Sequence, residues 1–165
     1  MALPFAITVV SLLNAIAHAA EGLYAPDRNS LVEAMAEEGI RTAAAAIPRL
    51  ERDPRDLEAR GDALVAAWLC GTVMGSITVG LHHKLCHTLG GSFDLPHAEV
   101  HAVILPRAMA YNASAATSAM ARIARRQEPL PEPAAARAHG DPRHAAARLR
   151  RHASGLSAPR GAGRR

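Results

Sequence analysis

The stretch Gly80–Pro106, GLHHKLCHTLGGSFDLPHAEVHAVILP, contains five of the nine histidines of this 165-residue chain. His83 and His87 lie four residues apart, so on a helix both imidazoles project from one face, with their Cβ atoms within about 6 Å. A zinc protease has the same spacing but needs a glutamate after its first histidine, where this chain has Lys84. The pair therefore predicts a metal or catalytic site that is not a metalloprotease.

A second histidine pair follows the first within the same stretch. Pro96 suits the first turn of a helix, which places His97 at its start and His101 four residues further on the same face. Gly90–Gly91 is predicted to form the turn that folds this helix back onto the preceding one, and Pro106 is expected to end or kink it. The two pairs are thereby predicted to meet.

The composition around this stretch favours an all-α domain. Hydrophobic residues make up 49% of the chain and aromatic residues 3%, so the core is expected to consist of alanine and aliphatic side chains, which favour helices. The length is sufficient for one domain with a core. Apolar periodicity predicts four helices, from Ser11 to about Leu23, from Leu31 to about Ala46, from Leu57 to Cys70 with a continuation into the histidine stretch, and from Leu95 to Pro106.

Several residues are predicted to mark helix ends or helix contacts. Ser30 is expected to cap the second helix in a capping box with Glu33, and Pro48 to end it. Gly71 and Gly75 lie four apart in the third helix, where each glycine costs about 1 kcal/mol relative to alanine. This spacing predicts a close approach by another helix or by a ligand.

Charge and composition divide the chain into two parts. Residues 1–121 carry 8 basic and 12 acidic groups, whereas 122–165 carry 11 arginines and 3 acidic groups. Residues 127–165 contain no Val, Ile, Phe, Met, Trp, Tyr or Cys and cannot build a core. We therefore predict a helical domain over residues 1–124 and a disordered Arg/Ala/Pro-rich tail over 125–165.

The cysteines and the N-terminal segment predict a cytoplasmic protein. Cys70 and Cys86 form no CxxC pair and no disulfide framework. The apolar opening MALPFAITVVSLLNAIAHAAEG has no basic residue, and Asn14 and His18 interrupt it. We expect neither a secretory signal nor a membrane span, and no membrane partner.

Three segments carry a resemblance to a known family. NAIAHAAEGLYA at 14–25, the histidine stretch and AYNA at 110–113 resemble the iron-containing alcohol dehydrogenase superfamily, most closely its maleylacetate reductase branch, over roughly residues 6–124. Its members join a nucleotide-binding α/β domain to a C-terminal helical domain of the dehydroquinate synthase-like fold. This chain resembles the helical domain alone, since it has no strand followed by a glycine-rich phosphate loop. We expect a truncated chain, and the composition beyond Arg125 is what a reading-frame shift in GC-rich DNA would produce.

The resemblance implies a set of site residues. In the metal-dependent members an Asp and three histidines hold Fe²⁺ or Zn²⁺. Those positions fall here on Asn14, His18, His83 and His97. The neutral Asn amide weakens such a site, in agreement with the reductase branch, which is thought to work without metal. His87 matches an additional histidine near the nicotinamide, whereas His82 has no ligand role in the family and is interpreted as a boundary residue.

The resemblance also implies a reaction, which is the reduction of maleylacetate to 3-oxoadipate by NADH or NADPH in bacterial breakdown of aromatic compounds. Hydride attack conjugate to a carbonyl builds enolate charge, which hydrogen-bond donors stabilise and a general acid protonates. His87 or His83 is the expected acid. Lys84, His97 and Arg107 are the expected contacts of the small dicarboxylate substrate.

Two other functions stay open at this point. One is a metal-dependent Fe or Zn alcohol dehydrogenase domain, against which the amide of Asn14 argues. The other is a non-enzymatic protein that binds nucleic acid through its basic tail, but the tail has no aromatic residue for base stacking, so we expect no specific recognition. Helix faces left exposed by an absent domain favour association with a second copy or with a missing N-terminal half.

Overall fold

The computed structural model describes residues 3–126, and within them all regular structure is α-helical. The helices are α1 (Phe5–Gly22), α2 (Ser30–Arg52), α3 (Leu57–Met74), α4 (Leu81–Phe93), α5 (His97–Asn112) and α6 (Thr117–Arg126). The predicted all-α fold is confirmed. The helical region continues to Arg126, two residues past the predicted boundary, and the rest of the predicted tail lies outside the described residues.

The first helix, α1, lies at the centre of the bundle and packs against α2, α3 and α5. It begins six residues before the predicted start, because the apolar segment before Ser11 continues the helix. Ala17, Ala19 and Ala20 are fully buried, so neighbouring helices approach its backbone closely. By length and composition α1 is the one described helix able to cross a membrane, and 50% of it is buried inside the bundle.

The helices α2 and α3 pack along each other through a glycine that the sequence interpretation overlooked. A Cβ at Gly39 would lie 2.6 Å from the Sγ of Cys70, so only glycine permits this contact. The predicted close approach by another helix at Gly71 and Gly75 is not found among the described residues, and the alternative, an approach by a ligand, stays a prediction. No atom of a neighbouring element lies within 4 Å of a Cβ at Gly71, and a Cβ at Gly75 would meet carbonyls of α3 itself.

The N-terminus of α2 differs from the predicted capping box. Asn29 is the cap, and its Oδ1 accepts hydrogen bonds from the backbone amides of Leu31 and Val32 at 3.0 Å. Ser30 is already the first helical residue. The side chain of Glu33 forms no hydrogen bond with the cap residue. It forms ion pairs with Arg28, which precedes α2, and with Arg122 of α6.

Pro48 does not end its helix as predicted, and neither does Pro106, for which a kink was the predicted alternative and stays a prediction. Pro48 lies inside α2, which continues to Arg52, and Pro106 lies inside α5, which continues to Asn112. A proline removes one backbone donor and crowds the preceding turn, but burial of neighbouring residues such as Leu50 and Leu105 keeps both helices against the core.

The turn between the two histidine helices also lies elsewhere than predicted. Gly90 and Gly91 are inside α4, and Asp94 ends the helix in the left-handed conformation, with φ 50° and ψ 46°. Pro96 is the N-cap of α5 rather than part of its first turn. The predicted continuation of the third helix into the histidine stretch is wrong as well, because α3 ends at Met74 and Gly80 begins a new helix.

The last described helix, α6, is held against α2 by ion pairs. Glu37 accepts from Arg122 and Arg126, and Glu33 lies 2.9 Å from Arg122 Nη1. Buried Ala119 and Ile123 add an apolar contact with the common core. Arg122 and Arg126 therefore help to hold α6 against α2.

Candidate functional site

Six histidines from three helices form one cluster, to which α1 contributes His18, α4 contributes His82, His83 and His87, and α5 contributes His97 and His101. Neighbouring rings follow one another at short centroid distances. They are 4.9 Å for His18 to His83, 5.0 Å for His83 to His101 and 4.2 Å for His97 to His101. The structure thus brings together the histidines predicted to meet.

The inner part of the cluster is a group of three fully buried histidines, His82, His83 and His101. Their ligand nitrogens lie within 4.8 Å of one another. His82 Nε2 and His101 Nδ1 share a hydrogen bond of 3.0 Å, which joins α4 to α5. The interpretation of His82 as a boundary residue is wrong, because its ring packs between His83 and His101 rather than at the surface.

The outer part of the cluster faces solvent. His87 and His97 are exposed, with ring centroids 6.2 Å apart in a stacked arrangement. The ring of His87 is 6.0 Å from that of His83, so one side of the buried group is lined by exposed imidazoles. His18 is half-buried. The cluster therefore has a closed end and an end that a small molecule can reach.

Burial keeps the imidazoles of His18, His82 and His101 neutral. The pKa of His18 and that of His82 are lowered to about 4, first by burial and then by the nearby His83. The pKa of His101 is lowered to about 3 by burial and by the neighbouring His97. At neutral pH each of these rings carries one N–H donor and one lone pair without a charge.

One charged residue of the site was missed in the sequence interpretation. Glu21 of α1 is 1% exposed, and its Oε2 lies 2.7 Å from His83 Nδ1. The same carboxylate accepts from the backbone amides of Gly80 and His82, both at 2.8 Å. Burial opposes ionisation of Glu21, but the bonds from His83 and these amides hold its pKa below the usual range. The available signal was a single acidic residue in an apolar helix, three positions after His18.

The four family-equivalent metal positions do not fit a resident divalent cation. Asn14 Oδ1, His18 Nδ1 and His83 Nε2 are buried and have no hydrogen-bond partner among the described residues. However, Asn14 supplies no negative charge, whereas non-haem Fe²⁺ sites combine two histidines with a carboxylate. His97 is exposed and packs against His101 and His87. These four positions therefore lack the anionic ligand that such a site uses.

The two predicted cationic substrate contacts lie outside the cluster. Lys84 is exposed on α4 beside His83. Arg107 is exposed on α5, where its guanidinium donates to the carbonyl of Val103 at 2.7 Å. Neither forms a side-chain hydrogen bond or ion pair with the cluster in the described part of the chain.

Comparison with known proteins identifies the family. Residues 8–158 match the family described as Fe-containing alcohol dehydrogenase, C-terminal. The chain is 62% identical over 125 residues to a maleylacetate reductase of Burkholderia cepacia, covering 76% of this chain and 36% of that protein. It is 60% identical over 118 residues to a maleylacetate reductase of Pseudomonas knackmussii, covering 72% and 34% respectively.

Solved structures agree with this match. The crystal structure of maleylacetate reductase from Agrobacterium tumefaciens superimposes with a TM-score of 0.74 at 48% identity, covering 95% of this chain and 41% of that one. The chain thus spans about a third of the length of the curated relatives. It belongs to the iron-containing alcohol dehydrogenase family, and its described helices are those of the family's C-terminal part.

Proposed function

We propose that this chain supplies the helical part of the active site of an NADH- or NADPH-dependent reductase, which reduces the carbon–carbon double bond of maleylacetate to 3-oxoadipate. The observation that carries the proposal is the 62% identity to the maleylacetate reductase of Burkholderia cepacia. The family match also includes the whole histidine cluster. The proposal places the reaction in the cytoplasm, with Cys70 and Cys86 as buried free thiols.

The chemistry of the cluster suits this reaction. A bound nicotinamide supplies the hydride, and attack on a double bond conjugated to a carbonyl leaves enolate charge on the substrate. Neutral imidazoles donate hydrogen bonds to such charge without themselves being ionised. His18 and His101 have lowered pKa values and are neutral at the pH of the cytoplasm.

The reaction ends with a proton delivered to carbon, for which we propose His87 or His83 as general acid. His87 is exposed at the accessible end of the cluster, and its ring lies 6.0 Å from that of His83. His97 belongs to the same exposed end and is proposed to contact a substrate carboxylate. Lys84 and Arg107 are proposed to attract the dicarboxylate by long-range charge, since both are exposed.

No step of this mechanism uses a metal. The neutral Asn14 and the position of His97 disfavour a resident Fe²⁺ or Zn²⁺, which sets the proposal apart from a metal-dependent alcohol dehydrogenase. Nucleic-acid binding through the basic tail has no support in the described residues. A second copy or an N-terminal partner is proposed to cover exposed apolar side chains such as Leu64 and Trp68.

The decisive experiment is a chimera in which residues 8–126 replace the matching segment of the Burkholderia cepacia maleylacetate reductase. Maleylacetate-dependent oxidation of NADH and NADPH is measured for the chimera, for this chain alone and for this chain mixed with the N-terminal part of that reductase. We expect turnover by the chimera and the mixture and none by the chain alone. A folded chimera that binds NADH but does not oxidise it with maleylacetate overturns the proposal, and oxidation of simple alcohols only with added Zn²⁺ supports the metal-dependent rival.

A further inference from the structure

The buried carboxylate of Glu21 contacts His83 and the start of α4 together. Its Oε1 accepts from the amide of His82, and its Oε2 accepts from the amide of Gly80 and lies 2.7 Å from His83 Nδ1. A Cβ at Gly80 would lie 2.9 Å from Oε1, so the missing side chain at Gly80 makes room for the carboxylate. Two backbone N–H groups and one imidazole nitrogen are therefore directed at one carboxylate.

These contacts satisfy the hydrogen-bonding groups of the Glu21 carboxylate and of the start of α4. The helix α4 has no side-chain cap of its own, so the carboxylate from α1 fills that role, where the helix dipole favours negative charge. Because Oε2 is ionised and accepts hydrogen bonds, His83 Nδ1 must be the protonated nitrogen of the ring. The other nitrogen, Nε2, is buried and has no partner among the described residues.

We propose that Glu21 is a positioning residue that fixes the tautomer of His83, so that Nδ1 carries the hydrogen and Nε2 presents a lone pair to the cluster. The tautomer itself is independent of the proposed function, and only its role in catalysis rests on that function. The ring of His83 lies 4.9 Å from that of His18 and 5.0 Å from that of His101, so its Nε2 belongs to the same group of rings as theirs. In this form Nε2 accepts a hydrogen bond or a proton, so of the two histidines proposed as general acid the inference favours His87 as the donor.

Replacing the carboxylate of Glu21 by an amide turns one of its two acceptor oxygens into a hydrogen-bond donor. In Glu21→Gln the shape of the side chain stays the same, but one oxygen becomes an NH₂ donor. An NH₂ group in place of Oε2 leaves the amide of Gly80 without an acceptor, donates to Nδ1 and forces the hydrogen to Nε2. An NH₂ group in place of Oε1 leaves the amide of His82 without an acceptor and keeps the hydrogen on Nδ1. Glu21→Asp keeps the charge and shortens the reach.

The test is nuclear magnetic resonance of the full chain with ¹⁵N-labelled histidine, recorded above the ordinary imidazole pKa of about 6.5. The resonances of His83 are assigned by comparison with His83→Asn. In the unaltered chain we expect a pyrrole-type Nδ1 and a pyridine-type Nε2. In Glu21→Gln the Nε2–H form should appear beside the Nδ1–H form, because the amide can take either orientation, and Glu21→Asp should retain the Nδ1–H form alone.

The matched control is Glu37→Gln, which removes a carboxylate that also joins two helices but forms its ion pairs, among the described residues, with Arg122 and Arg126. It should leave the His83 resonances unchanged. An Nε2–H tautomer in the unaltered chain overturns the inference even if Glu21→Gln does not fold, and so does an unchanged tautomer in folded Glu21→Gln. The measurement needs no turnover, so an inactive chimera would refute the proposed reaction while leaving this result standing.

Discussion

His82 Nε2 and His101 Nδ1 are 3.0 Å apart and completely buried, so one hydrogen bond between imidazoles joins the two histidine helices. We expect His101→Ala to lower the free energy of unfolding by about 2–3 kcal/mol, because it leaves a cavity and removes the partner of His82. Urea denaturation followed by circular dichroism measures the loss. The exposed His87→Ala should stay within about 0.5 kcal/mol, and equal losses in the two variants would contradict the assignment.

The buried imidazoles also predict how stability varies with pH. The folded-state pKa values are about 4 for His18 and His82 and about 3 for His101, below the ordinary value of 6.5. Between these values the unfolded chain binds more protons than the folded chain, so stability decreases as pH falls from 6.5 towards 3. The lowered pKa of Glu21 acts in the same direction below 4.5.

Thermal melts at a series of pH values measure this effect. His101→Gln removes one of the groups and should make the decline shallower. A melting temperature that stays constant between neutral pH and pH 4 would show that these rings are not buried as neutral groups.

The contact between α2 and α3 predicts opposite effects of one substitution at two glycines. Gly39→Ala should destabilise the chain despite the better helix propensity of alanine, because the new Cβ would lie 2.6 Å from Cys70 Sγ. Gly71→Ala meets no atom of a neighbouring element within 4 Å and should stabilise by about 0.5–1 kcal/mol. Chemical denaturation of the pair tests the packing, and stabilisation by Gly39→Ala would place the helices further apart than described.

The neutral residue at position 14 predicts a gain of metal binding. Asn14→Asp restores an anionic ligand beside His18 and should raise the affinity for Zn²⁺ at least tenfold, which corresponds to about 1.4 kcal/mol. Isothermal titration calorimetry of the full chain compares the zinc affinity of Asn14→Asp with that of the unaltered protein. Asn29→Asp adds the same charge at the cap of α2 and should leave zinc affinity unchanged. Equal affinities in all three chains would show that position 14 does not belong to a potential metal site.

The ion pairs between α2 and α6 give a further prediction. Arg122→Ala removes contacts from α6 to both Glu33 and Glu37, whose side chains are partly buried, and should lower the urea midpoint. Arg41→Ala removes an exposed pair within one turn of α2, with side chains 49% and 50% exposed, and should have less effect because solvent screens it. The reverse order would mean that the ion pairs of Arg122 do not hold α6 against α2.

The sequence was informative where chemistry depends on short spacing. The intervals between His83 and His87 and between His97 and His101 predicted which imidazoles share a helix face, and alanine-rich periodicity predicted the all-α class. Helix ends were harder to predict. Pro48 and Pro106 have local effects that tertiary burial of their neighbours outweighs, and Asp94 rather than the glycine pair forms the turn because a left-handed residue satisfies the end of α4.

The contacts of the site that connect distant parts of the chain could not be derived from spacing. Glu21 and His83 are 62 positions apart, and only the packing of α1 against the α4–α5 pair brings them together. Likewise, the burial of His82 depends on which side of α4 meets α5. A single helix pattern does not determine the rotation of one helix against another.

The arrangement of the helices has a consequence for cooperativity. The buried apolar cluster joins α1, α2, α3 and α6, whereas among its buried members only Leu105 comes from α5 and none comes from α4. We therefore expect the α4–α5 hairpin, attached through α1 by Glu21 and the imidazoles, to open separately from α2 and α3. Its amide protons should exchange with solvent at a lower opening free energy than those of α2 and α3, so that the histidine cluster disperses before the bundle melts.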